Sequence, residues 1–124
     1  MIVTHQQICR ISRRPSEKPK GIGYAYKCVT KGYMSPVYKR GFYNSPPLKY
    51  EIGSVVKNQE GCDPDRSVDC SYGLHIASAT WCKQKKYGSK FILVSFDWKD
   101  AVIPRNSFGK FRVSKLKVLH EVKL

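Results

Sequence analysis

The stretch from Gly109 to Val122, GKFRVSKLKVLHEV, limits what this chain can fold into more than any other. Phe111 and Val113 alternate with Lys110, Arg112 and Ser114. Leu116, Val118 and Val122 then fall on even positions, so the apolar phase slips by one near Ser114–Lys115. Strand side chains alternate between two faces. A one-residue slip therefore predicts a β-bulge or a change of sheet at that point. On either side of the slip, one face is mostly apolar and the other is rich in Lys and Arg.

Similar periodicity recurs upstream. In GYAYKCV, Tyr24, Tyr26 and Cys28 share one face, opposite Ala25, Lys27 and Val29, which predicts a strand. KFILVSFDW is the most apolar run and reads as a central strand buried on both faces. LKYEIGSVV (Leu48–Val56) and YGLHIAS read as further short strands, and MIVTHQQICRI has enough apolar content for another. Ser78 is a good N-cap for a short helix over ATWCKQKKY, closed by Gly88. The prolines and charges of SRRPSEKPK predict a flexible basic loop around residues 12–20. KNQEGCDPDRSVDC is turn chemistry throughout. The expected fold is α+β: a mostly antiparallel curled sheet or split barrel of about seven short strands with one short helix. At 124 residues, 1–124 form a single domain.

Charge narrows the function. The chain has 23 Lys+Arg against 9 Asp+Glu, a net of +14. Such an excess suits nucleic acid or an acidic protein surface. Basic and aromatic residues interleave in KRGFY, KQKKYGSK and RNSFGKFRVSKLK, as a phosphate backbone with unpaired bases would require. The candidate contacts are Arg13, Arg14, Lys39, Arg40, Lys83, Lys85, Lys86, Lys110, Arg112, Lys115 and Lys117. The competing reading makes Phe42, Phe108 and Phe111 core and the lysines a solvated face. No N-terminal signal or apolar span is seen, so a soluble intracellular protein, not secreted and not in a membrane, is expected.

Catalytic constellations are scarce. The five cysteines form no C-x-x-C pair, and an odd count argues against a closed disulfide framework. Reduced thiols are expected, although Cys62 and Cys70 could close the acidic loop. No metal or cofactor is expected. The one candidate ligand site is CSYGLHIAS. His75 and Ala77 share a strand face, Gly73 permits close backbone approach, and Ser78 opens a helix where an anion could sit. The bland reading of His75 is a half-buried histidine bonded to a neighbour.

Two resemblances add expectations. The order of GYAYK, GYMSP, LKYEIG, CSYGLHIAS, FILVSFDWKDAVIP and GKFRVSKLKVLHEV resembles small accessory proteins of phages and large DNA viruses. Its most specific element is Cys70 with Gly73, Leu74 and His75. It implies a viral accessory role in the host cytoplasm or nucleus, or in the virion, and no particular activity. GLHIAS is also similar to the strand-to-helix element of ADP-ribosyltransferases, in which the residue at the place of His75 packs against nicotinamide. This chain departs from that family: it has no earlier H-G-[ST], and KFRVSKLKV carries no acid. The leading expectation is a non-enzymatic, nucleic-acid- or acidic-protein-binding accessory protein. The alternatives are a nucleotide-binding or ADP-ribosyltransferase-like domain centred on His75, and a virion component held through loops such as Gly41–Lys49.

Overall fold

A computed structural model describes residues 1–35, 48–85 and 89–124. The chain runs α1 (His5–Arg13), β1 (Ile22–Val29), β2 (Val55–Lys57), β3 (Leu74–Ala77), α2 (Ala79–Lys85), β4 (Lys90–Asp97), β5 (Ala101–Val102), β6 (Lys110–Val113) and β7 (Lys115–Val122). The class is α+β, and all seven strands pair antiparallel in one sheet, ordered β2-β7-β4-β1-β3-β6-β5.

The phase slip explains the shape of this sheet. Ser114 alone separates β6 from β7. Yet those strands hold the sixth and second places in the sheet order. The sheet must curl until its two flanks approach the same residue, and it stays unclosed. The slip is thus a change of strand partner: β6 pairs with β3 and β5, β7 with β4 and β2. A separate register shift lies between Leu93 and Val94 where β4 meets β7.

The inner face of the curl is the core. Ala25, Val29, Leu74, Ile76, Ile92, Val94, Phe96, Phe111, Val113, Leu116 and Val118 belong to one buried cluster. Phe96 packs edge-on against Trp98 and Phe111, with centroids 4.9 and 5.4 Å apart. Lys27 shares this face. It is buried, its Nζ donates to the His75 carbonyl at 2.7 Å, and it sits 4.6 Å from the Tyr50 ring centroid. Burial lowers its pKa to about 8.

Several expectations are corrected. The N-terminal segment forms helix α1, not a strand. Thr4 Oγ1 accepts from Gln7 N at 3.0 Å, and Ile8 and Ile11, one turn apart, enter the core. Thr4 with Gln7 at the third helical position has the spacing of a capping box, the local signal that a strand reading passes over. Residues 12–20 are also less open than expected. Ser12 and Arg13 end α1, Pro15–Glu17 make a 3-10 turn, and Lys18 Nζ donates to Ala101 O at 2.8 Å. Lastly, β4 is not buried on both faces. Ile92, Val94 and Phe96 are buried, but Leu93 and Ser95 are only half-buried. Leu48–Val56 is mostly irregular, with β2 beginning at Val55.

Candidate nucleic-acid interface

Antiparallel partners directly opposite each other share a face, so the register maps the outer side of the sheet. One transverse row reads Ile2, Tyr24, Ser95, Lys117, Val55, from the N-terminal segment across β1, β4, β7 and β2. A second reads Lys110, Ala77, Tyr26, Leu93, His120. Lys57 stands opposite Lys115, and Ile22 opposite Asp97.

Two coverings close part of this outer face. Helix α2 lies over Cys28 and Ala77, forming a small buried cluster with Cys82, against which Tyr26, Trp81 and Phe91 pack. The acidic loop covers His75 and Arg112. Arg112 donates to three of the loop's carbonyls: Nε to Asp63 at 2.8 Å, Nη1 to Val68 at 2.7 Å and Nη2 to Asp65 at 2.6 Å. The carboxylates of the loop serve the loop itself. Asp63 accepts from Ser71 Oγ and Asp65 N, and Asp65 from Ser67. Those bonds hold both carboxyls below the ordinary range. Gly73, at φ 139°, fits because a Cβ there would lie 2.7 Å from Cys62 Cβ.

The sequence-derived ligand site falls under these coverings. His75 is half-buried, and its Nε2 donates to the Ser71 carbonyl at 2.7 Å. Burial, the largest cause, lowers its pKa to about 4. Its Nδ1 is buried with no hydrogen-bond partner. Ala77 and Ser78 are buried. Ser78 Oγ accepts from Trp81 N at 3.3 Å and lies 3.4 Å from His5 Nδ1. A Cβ on Gly109 would meet both Ser78 and His5 within 3 Å. The start of α2 is therefore packed by protein, with Ala77 and Ser78 buried and Gly73 and His75 half-buried.

The predicted basic contacts divide. Arg112 is corrected outright: it is fully buried, and three carbonyls occupy its guanidinium. Lys39, Arg40 and Lys86 lie outside the described residues, and only the backbone of Lys85 is described. Lys83 is exposed on α2. Arg13 and Arg14 are exposed at the end of α1, where Arg14 lies 3.7 Å from Glu17. Lys110 Nζ reaches Cys70 Sγ at 2.7 Å and lies 5.9 Å from the Trp81 ring centroid. Lys115 and Lys117 are exposed, and the structure brings them together with Lys57, which the sequence reading did not single out. None of these three has an ion-pair partner among the described residues. Tyr24 and Tyr26, known from the sequence to share a face, prove to share it with these lysines.

Sequence reasoning also missed Arg66. Its Nε donates to Ile103 O and its Nη2 to Ser12 O, both at 2.7 Å, tying the acidic loop to the end of α1. No disulfide joins any of the five cysteines, so Cys62 and Cys70 are not bonded to each other. Among the described residues no group of His, Cys, Asp and Glu could hold a metal ion, and no helix is long and apolar enough to cross a membrane. Comparison with protein families, with curated proteins and with solved structures finds no match to this chain.

Proposed function

We propose that this protein binds nucleic acid, without catalysis, through the open part of its outer sheet face. The observation that carries the reading is the β2–β7 register. It sets Lys57 directly across from Lys115 and places Lys117 beside them, with no acid among the described residues to pair any of the three. Like charges directly opposite one another on a sheet destabilise it. A phosphate backbone would neutralise that cost on binding and release its counterions. The net charge of +14 adds attraction at longer range. An accessory role of viral type, as the resemblance implies, is part of the proposal.

The test is fluorescence anisotropy with a labelled oligonucleotide over a range of salt. Binding should weaken steeply as salt rises. Replacing Lys57, Lys115 and Lys117 together by Ala should flatten the logarithmic salt slope by about 2. A folded protein that binds no DNA or RNA at low salt would overturn the reading.

A further inference from the structure

The lysines account for affinity toward any polyanion, but other residues of the same face point to a narrower class. We infer that this face takes single-stranded nucleic acid, with Tyr24 and Tyr26 as the surfaces on which two bases stack. The inference rests on the nucleic-acid reading above.

Tyr24 and Tyr26 are two residues apart on β1, so their rings leave the strand about 7 Å apart. That is roughly twice the 3.4 Å rise between stacked bases, a spacing for two splayed bases, each on its own ring. Both tyrosines are half-buried; Tyr24 lies in the row with Ser95 and Lys117, and Tyr26 is flanked by the α2 cluster. Lys117 shares a row with Tyr24, with only Ser95 of β4 between them. Adjacent strands lie about 4.8 Å apart, which puts the cation about 10 Å from the ring, within the reach of one nucleotide from phosphate to base. His120 stands at the same remove from Tyr26, beyond Leu93. The path thus has Lys117 and His120 along one side and the aromatic rings along the other.

The apolar residues argue against a duplex. Ile22 and Val55 are 55% and 59% exposed, and Ile2 is 48% exposed, all on this face. A duplex would set phosphates and sugars against them, and its major groove admits a helix or a two-stranded ribbon rather than a broad sheet. Unpaired bases offer apolar faces that match them. One acid, Asp97, stands opposite Ile22 and marks the edge of the path; its Oδ1 accepts from Lys99 N.

The experiment compares a single-stranded oligonucleotide with a duplex of equal length at matched salt, over a range of salt. The single strand should bind at least tenfold tighter. Tyr24→Ala should weaken it about tenfold with the salt slope unchanged, and Tyr24→Phe should restore it. Tyr26 packs against the α2 cluster, so Tyr26→Leu, which keeps apolar bulk, serves in its place. Circular dichroism and thermal melting confirm that each variant is folded. Equal binding of both forms, or no loss in folded Tyr24→Ala, would overturn the single-strand inference and leave lysine-borne binding standing. Loss of all binding in the wild-type protein would remove both. A concentration-dependent dimer that Tyr24→Ala dissolves would assign the face to self-association and also overturn the inference.

Discussion

The outer face of this sheet has a closed half and an open half, built from the same kind of sequence. On β6, Arg112 alternates with Phe111 and Val113; on β7, Lys115 and Lys117 alternate with Leu116 and Val118. Arg112 is fully buried, its fork filled by three carbonyls, whereas Lys115 and Lys117 are exposed and unpaired. The guanidinium presents several donors in a fixed plane, so one side chain can gather a loop whose carbonyls converge on it. An ammonium has no such planar fork, and those of Lys115 and Lys117 stand on exposed residues with no such loop above them among the described residues. The difference between a structural cation and a recruiting one is thus made by what the neighbouring loop supplies.

The largest test of this contrast is Arg112→Met. Three loop carbonyls would lose their charged donor together, and stability should fall by about 3–5 kcal/mol in urea unfolding. Arg112→Lys should recover less than half of that. A loss below about 1 kcal/mol would mean the closed half does not depend on this residue.

Acid should act next, and on the closed half. Folding holds His75 near a pKa of about 4, below its ordinary 6.5. Between those values the unfolded chain binds more protons, so stability is lost as pH falls from about 6.5 to about 4. The loss should be no more than about 3 kcal/mol, and His75→Leu should remove it. A wild-type stability that is flat across that window would break the account. Lys27, on the inner face, titrates in the other direction from neutrality. Its pKa is lowered to about 8 from 10.5, so stability should rise as pH climbs between those values, and Lys27→Met should abolish the rise.

The smallest effect belongs to the open half. Lys115→Glu places an acid opposite Lys57 and should raise stability by about 0.2–1 kcal/mol while weakening oligonucleotide binding. Stability and binding moving in opposite directions is the signature of a face kept basic for a partner. A variant that loses both would place Lys115 with Arg112 as a structural residue.

Much of this was readable before any coordinates. The alternation of β1 and β7 and the slip at Ser114 are local patterns, and they point to a sheet with one polar face. The helix at His5–Arg13 was hidden because Ile8 and Ile11 suit a strand's composition as well as a helix's spacing; Thr4 and Gln7 held the missing signal. Arg112 could not be told from Lys115 by periodicity, because what separates them is a loop more than forty residues away in the chain. His75 read as a site or as a packed residue, with the sequence leaning to the packed one, and its bond to Ser71 puts it under that loop. Tyr24 and Tyr26 shared a face in the sequence, but their neighbours across β4 and β7 needed the register.

The one-residue link at Ser114 also orders events in time. β7 sits between β2 and β4, so β2 cannot join the sheet until Lys115–Val122 has been synthesised. β1 must likewise wait for β4, some sixty residues later in the chain. Pairings this distant in sequence close slowly, on the order of milliseconds to seconds. Through that interval the apolar faces of β1 and β4 are uncovered, and the net charge of +14 sets repulsion between copies against their association.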